Sequence, residues 1–490
     1  MRATDAWAID EQGVPSLDLM ERAGEGLARM AEERAGDGRA VVVCGKGNNG
    51  GDGLVAARLL RDWGHEVDVL CIAPPEEIRG DAKANLERLQ GAAPASFSPP
   101  ALAGAGVVVD ALLGTGFAGE PREPVAGAIA AINAAGAPVV AADVPSGVDA
   151  STGEIAGEAV HAAATATFHA PKPGLWINPG KSHAGEVRRI EIGIPSGAPG
   201  EAEIGLIGAA VLGEVPRRHA GSTKFSEGAV IVCGGSTGLT GAPSLASEAA
   251  ARAGAGYVTA CVPRSLNMIF ELRLLEAMTR PLEDDESGDL LPAAAVAVLQ
   301  AAERGDALVL GCGLGRSDSA QEFARRVAAE AELPLLLDAD GLNAHAGRLS
   351  DLAARGAPTV MTPHAGELGR LLEIESAAVE ARRLHHAREA ARAAQAIVVL
   401  KGDDTLVAEP GGHVAVSAGA SAGLATAGTG DVLSGIIGAM LAKGLDPFTA
   451  ACAGVALHAA AGRRAAALRG ADGLIARDVI EALPRELAER

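Results

Sequence analysis

Leu424-Ala-Thr-Ala-Gly-Thr-Gly-Asp-Val-Leu-Ser-Gly-Ile-Ile-Gly-Ala-Met-Leu-Ala-Lys443 sets a loop of small residues directly before an apolar-faced helix. Gly428 and Gly430 let a ligand come close to the main chain. Free N–H groups at the helix start, at the positive end of its dipole, make a site for phosphate oxygens. Asp431 stands at that same start, where its charge would repel a phosphate. The placement makes sense for a base beside a phosphoryl group in transfer, taking the proton of the attacking hydroxyl. The bland alternative is an N-capping Asp after a glycine loop.

In the first half, polar residues fall at the ends of apolar runs. Ala40-Val-Val-Val-Cys44 reads as a buried strand, Gly45-Lys-Gly-Asn-Asn-Gly-Gly-Asp-Gly53 as a loop, Leu54 to Trp63 as a helix and Glu66 to Ala73 as a second strand. This order opens a doubly wound sheet, whose ligands lie at the carboxyl ends of the strands. The loop lacks Gly-x-Gly-x-x-Gly spacing and no acidic residue ends the second strand, so ordinary dinucleotide docking is disfavoured. Asp110 ends the run Val107-Val-Val-Asp, and Asp143 and Ser146 follow Pro138-Val-Val-Ala-Ala. With Asn49 these residues are expected on one rim, although each singly also reads as a turn or cap residue. Lys172 reads equally as a phosphate contact or a turn lysine. A closing strand is expected over Val187 to Ile194.

Residues Ser196 to Ala220 are rich in Gly, Ala and Glu and show no clear strand, which predicts domains over 1–205 and 212–490. In the second half, six apolar runs end in Gly, Asp or polar loops: Ala229–Cys233, Tyr257–Val262, Ala307–Leu310, Leu335–Leu337, the run opening at Val360, and Ala396–Leu400. Six strands between helices predict a larger three-layer α/β domain. It carries no Walker phosphate loop. His364, after Thr362-Pro363, reads on its own as a satisfied turn histidine.

The bulk numbers exclude several classes. A chain of 490 residues is long enough for two or three domains with full cores. Aromatics make up 2%, so those cores are built from Ala, Val, Leu and Ile, as suits helix-covered parallel sheets. A net charge of −20 argues against a nucleic-acid or anionic-membrane surface, and a phosphate-rich ligand must be held by local N–H groups and lysines. The six cysteines are scattered without a Cys-x-x-Cys and read as buried small hydrophobes in a reducing compartment. No apolar signal core or bilayer-length run is present, so the protein is expected to be cytoplasmic; a homo-oligomer is expected.

Ala427-Gly-Thr-Gly-Asp-Val-Leu433 resembles the catalytic loop of the ribokinase-like superfamily. Asn48-Asn-Gly-Gly-Asp-Gly53, Asp110-Ala-Leu-Leu-Gly-Thr-Gly116 and Asp143-Val-Pro-Ser-Gly-Val-Asp149 resemble the signature loops of NAD(P)H-hydrate epimerases. Over nearly its whole length the chain is similar to the bifunctional NAD(P)H-hydrate repair family. The resemblance implies a Rossmann-like epimerase domain followed by a ribokinase-like dehydratase domain that uses ADP with magnesium. It further implies a potassium ion on Asn49, Asp110 and Ser146. Hydrate contacts are implied at Asn48, Asn49, Gly50, Gly51, Asp52, Gly114, Thr115, Gly116, Phe117, Ala118, Gly119 and Glu120, with Asp143 as acid/base. In the second domain it places the hydrate on Ala242, Gly315, His364 and Asp431. The nucleotide is expected on Lys401, Gly402, Asp403, Asp404 and Thr405 and on Gly428, Thr429 and Gly430. Two stretches depart from the family pattern: His219-Ala-Gly-Ser222 in place of His-Lys-Gly-Ser, and Ser421-Ala-Gly423 in place of Asn-Pro-Gly. Both are expected near the second domain's site. The competing readings are a vitamin or sugar kinase, and a non-catalytic assembly module in the first half.

Overall fold

The computed structural model describes residues 2–285 and 287–489. The chain divides into two compact units between Ala202 and Glu203. Among the described residues, no helix is long and apolar enough to cross a membrane.

The first unit is built on seven strands: β1 (Ala40–Cys44), β2 (Val67–Cys71), β3 (Ala95–Ser96), β4 (Val107–Ala111), β5 (Val139–Ala142), β6 (Ala164–Phe168) and β7 (Glu186–Ile190). All pairs are parallel, in the order β3-β2-β1-β4-β5-β6-β7. Strand alternation creates two cores. Val42, Cys44, Val69, Val109 and Val140 pack with Leu27, Met30, Leu54 and Leu60 on one face. Val41, Val43, Leu70, Val108 and Val139 pack with Ile129 and Ile132 on the other. Three layers follow. The strand order reverses between β1 and β4, so a crevice opens at their carboxyl ends.

The helix after β1 starts earlier than the glycine count suggests. It runs Asn48–Asp62, so most of the expected loop is its first turns. The glycines there serve close packing. A side chain at Gly50 would run into the Gly45 carbonyl, one at Gly51 into Met20, and one at Gly53 into Ala111 and Cys44. Each glycine weakens the helix intrinsically by about 1 kcal/mol relative to Ala, and tertiary contact overrides that preference.

The second unit carries ten strands: β8 (Ile204–Ile207), β9 (Ala229–Cys233), β10 (Tyr257–Pro263), β11 (Met278–Leu282), β12 (Ala307–Leu310), β13 (Leu335–Leu337), β14 (Thr359–Met361), β15 (Ile397–Leu400), β16 (Leu406–Ala408) and β17 (Val414–Ser417). Their order is β11-β10-β9-β12-β13-β14-β15-β16-β17-β8. The β15–β16 and β16–β17 pairs are antiparallel and the others parallel. Val230, Val232, Val309, Leu336, Val360 and Val399 pack against helices that include Gly241–Arg252, Thr429–Ala442 and Pro447–Arg469.

Four of these ten strands escaped the sequence reading. β8 corrects the expectation of no strand between Ser196 and Ala220. Its four residues have no period of their own and become a strand only by pairing with β17, from Ile204 opposite Val414 to Ile207 opposite Ser417. β11 carries Pro281 and lies at the edge, where a missing donor is tolerated. β16 and β17 are a short hairpin.

Candidate active sites

In the first unit, a cavity of about 910 Å³ opens at the β1–β4 crevice. Of the residues expected to contact the hydrate, Asn48, Asn49, Asp52, Gly114, Thr115, Gly116, Phe117 and Asp143 line it. Gly50 and Gly51 do not, being turned onto Gly45 and Met20. Ala118, Gly119 and Glu120 line a separate, smaller hollow with Phe117.

Register brings the strand-end acids together. Val43 of β1 is opposite Asp110 of β4, which is opposite Ala141 of β5. Asp110 is 0% exposed. Its carboxylate accepts from Ser146 N at 2.8 Å, Ser146 Oγ at 2.6 Å and Leu112 N at 3.3 Å. Burial pushes its pKa up, and the Ser146 bonds pull the other way. Among the described residues no lysine or arginine pairs with it. Asn49 donates its amide N–H to Leu113 O at 2.8 Å, and Leu113 N donates to Ser146 Oγ at 2.9 Å. A buried carboxylate, an amide, a hydroxyl and a carbonyl thus meet with no protein cation among them. That oxygen-rich set fits a hard monovalent ion.

Asp143 follows β5 with a φ of +65°, a left-handed conformation that Asp tolerates better than most residues. Its Oδ1 lies 2.5 Å from Lys172 Nζ and accepts from Phe168 N at 3.1 Å. Lys172, 3% exposed, also donates to Phe168 O at 2.5 Å. Sequence offered phosphate contact or turn lysine for Lys172; its ion pair with Asp143 is a further partner that neither reading anticipated. Asp5 and Asp52 face the same cavity, each with its pKa raised chiefly by burial. Asp5 was missed because an acid in an N-terminal helix carries no local signal.

In the second unit, Gly428 takes a φ of +91° as the cap of the helix Thr429–Ala442. Asp431 lies in the first turn. Burial, then the charge of Asp338, raises its pKa to about 6, while a hydrogen bond from the Cys312 thiol opposes the rise. Ligand atoms of Cys312, Asp338 and Asp431 lie within 4.8 Å of one another. Lys401, at the end of β15, pairs with Asp338 at 2.9 Å and Glu367 at 3.6 Å. Desolvation alone would lower its pKa; the two carboxylates outweigh that and keep it charged. A side-chain carbon built on Gly430 would sit 3.6 Å from Lys401 Nζ, so the ammonium stands beside the loop.

A side-chain carbon on Gly313 would lie 3.2 Å from the Ala242 methyl, one residue from the Cys312 that touches Asp431. Gly315 donates its N–H to Asp340 at 3.1 Å. His364 caps the helix Ala365–Leu372, its Nδ1 accepting from Gly366 N at 3.0 Å. With Nδ1 thus an acceptor, the neutral ring carries its proton on Nε2 and can donate. The turn reading and the functional reading of His364 are compatible.

Other expected nucleotide residues are already committed. Asp404 forms a buried ion pair with Arg383 at 3.0 Å, and Thr405 Oγ1 donates to Gly402 O at 2.6 Å. Thr429 Oγ1 donates to Leu424 O at 2.8 Å, and Asp403 is exposed. Ser421-Ala-Gly423 does lie beside the loop, through Leu424. His219-Ala-Gly-Ser222 does not. Ser222 bonds Glu227, whose carboxylate holds Lys443 at 2.8 Å. Lys443 ends the Asp431 helix twelve residues on, roughly 18 Å away at 1.5 Å per residue. Asp338, after β13, and Glu367, in the first turn of the helix Ala365–Leu372, were missed in sequence because nothing local tells an acid that binds lysine from one that caps a helix.

A family described as NAD(P)H-hydrate dehydratase matches residues 230–485, and one described as YjeF-related protein N-terminus matches residues 16–174. The chain is 40% identical to a bifunctional NAD(P)H-hydrate repair enzyme of Moorella thermoacetica, over 99% of this chain and 94% of that one. It is 36% identical to the Escherichia coli enzyme of the same name, over 99% and 92%. Among solved structures, an ADP/ATP-dependent NAD(P)H-hydrate dehydratase from Bacillus subtilis, co-crystallised with ATP and Mg2+, is similar with a TM-score of 0.51 and 28% identity, covering 59% of this chain and 99% of that one.

Proposed function

Because the chain belongs to the bifunctional NAD(P)H-hydrate repair enzymes, we propose that its two units divide the repair of hydrated NADH and NADPH between the sites above. The first unit (to Ala202) exchanges the configurations at C6 of the hydrated ring, with Asp143 as acid/base. The second removes water from the S form, with ADP as phosphoryl donor.

Asp431, beside the free N–H groups of its helix and the Lys401 ammonium, carries the dehydratase reading. Its carboxylate takes the proton of the C6 hydroxyl as that oxygen attacks the terminal phosphorus of the nucleotide. Lys401 and the N–H groups of Gly428, Gly430 and Asp431 receive the negative charge that develops on the phosphoryl oxygens. A poor leaving group becomes phosphate, the ring nitrogen's lone pair expels it to leave an N1=C6 iminium, and loss of a proton from C5 restores the C5–C6 double bond. The products are NAD(P)H, AMP and phosphate. A magnesium ion bound with the nucleotide would neutralise part of its phosphate charge.

In the first unit, the oxygens of Asn49, Asp110 and Ser146 would hold potassium. The buried, cation-free Asp110 carboxylate supports this, and the ion would supply the missing positive charge.

The test is recovery of the near-ultraviolet absorbance of reduced nicotinamide from an R/S mixture of hydrated NADH, with magnesium and ADP or ATP. Recovery that runs past the S fraction faster than spontaneous epimerisation is the expected result. No recovery with either nucleotide would overturn the dehydratase assignment.

A further inference from the structure

The first cavity holds more acid than base. Asp5, Asp52 and Asp143 face it with a single buried ammonium, Lys172. Lys46 and Glu77, also on its wall, are exposed and pair with each other at 3.1 Å, and Asp81 is only half-buried. The ammonium is assigned by distance: Lys172 Nζ is 2.5 Å from Asp143 Oδ1, which also takes the Phe168 N–H. Both of these donors fall on one oxygen of Asp143. Asp52 stands differently. It is 8% exposed, one helical turn after Asn48, and no described residue donates to its carboxyl. The charged groups it feels are Asp143, Lys172 and Asp5. Among these carboxyls Asp143 is the one held by the ammonium, whereas burial favours the neutral form of Asp52, which has no such partner.

We propose that Asp52 is the general acid of the epimerisation, acting opposite Asp143 as its base. The proposal deepens the epimerase reading of this site and rests on it. Asp143 takes the proton of the C6 hydroxyl, and the freed O–H pair becomes the second bond of a C6 carbonyl. The C6–N1 bond breaks, its electron pair moves to N1, and N1 takes the proton of Asp52. Rotation about C5–C6 turns the other face of the aldehyde to N1. N1 then attacks C6 and returns its proton to Asp52, while the oxygen recovers its proton from Asp143. The ring closes in the opposite configuration. No atom is gained or lost and no oxidant is needed.

The experiment uses the full chain with the R form of hydrated NADH and no nucleotide, following R-to-S conversion by chromatography against pH. The wild type comes first. A rate no faster than the spontaneous one would remove the epimerase reading itself, whatever Asp52 does. Given catalysis, Asp52→Asn is expected to lose about 100-fold or more in kcat, in the range of a general acid. It should keep hydrate affinity, lose the alkaline fall of the rate, and dehydrate the S form with ADP as the wild type does. A wild-type rate and pH profile in Asp52→Asn, or a loss confined to KM, would overturn the assignment. Should that variant fail to fold, carbon-13 NMR of the Asp52 carboxyl in the wild type decides. A protonated carboxyl at neutral pH supports the acid; an ionised one overturns it.

Discussion

At the residue scale, Asp431 illustrates function placed against stability. Its folded pKa of about 6 lies above the ordinary 3.8, so between those values the folded state binds more protons than the unfolded. Stability therefore falls as pH rises through that window, and at neutral pH the ionised carboxylate destabilises the fold. Asp431→Asn is expected to abolish dehydration yet raise stability at neutral pH by about 1–3 kcal/mol, read from the denaturant midpoint. Activity runs the other way: the base must be ionised, so dehydration should fall as pH drops through about 6. The Cys312 thiol donates to that carboxylate and lowers its pKa. Cys312→Ala should thus shift the acid limb of the rate profile upward, while Cys312→Ser, which keeps a donor, should restore it. An unmoved limb in Cys312→Ala would show that the thiol does not tune the base.

At the element scale, the helix Asn48–Asp62 shows glycines chosen for contact. Gly50→Ala drives a methyl fixed to the helix backbone into the Gly45 carbonyl, so neither side yields by rotating a side chain. Overpacking of this kind costs about 1–3 kcal/mol. The variant is expected to lose epimerase activity and first-unit stability, with ADP-dependent dehydration of the S form intact; calorimetry and the two assays check it. The helix Thr429–Ala442 separates what sequence placed together, with Asp431 at one end and the Glu227–Lys443 pair, which Ser222 joins, at the other. Ala220→Lys, which restores the residue of the similar family, should leave the KM for ADP unchanged. A several-fold change would return that loop to the nucleotide site.

At the scale of the whole molecule, the chain changes unit at Ala202/Glu203, and β8 goes with the second sheet. A fragment beginning at Glu203 keeps β17 paired, whereas one beginning at residue 212 bares its edge. The shorter fragment is expected to aggregate more and unfold at a lower temperature, as light scattering and melting would report. Equal behaviour of the two would make β8 dispensable. In the first unit the crevice opens where the strand order reverses, β1 against β4, and in both units the polar groups gather in loops at the carboxyl ends of the strands.

The parallel α/β layers were legible in sequence, because strands buried on both faces must be continuous apolar runs, and those runs end where polar loops begin. Asp431, Asp110, Asp143 and Ser146 stood out as candidates because they fall at a helix start or at strand ends, whereas Asp338, after β13, gave no local sign that it binds Lys401. Which polar atoms were still free was not legible. Lys172 reaches Asp143 across 29 residues, Arg383 reaches Asp404 across 21, and Lys401 reaches Asp338 across 63. β8 finds its partner some 210 residues away. Sequence by itself determined the chemistry on offer, since that is a property of side chains and their nearest neighbours. Only the tertiary structure decided which groups keep it, because hydrogen bonds and ion pairs are claimed by approach through space.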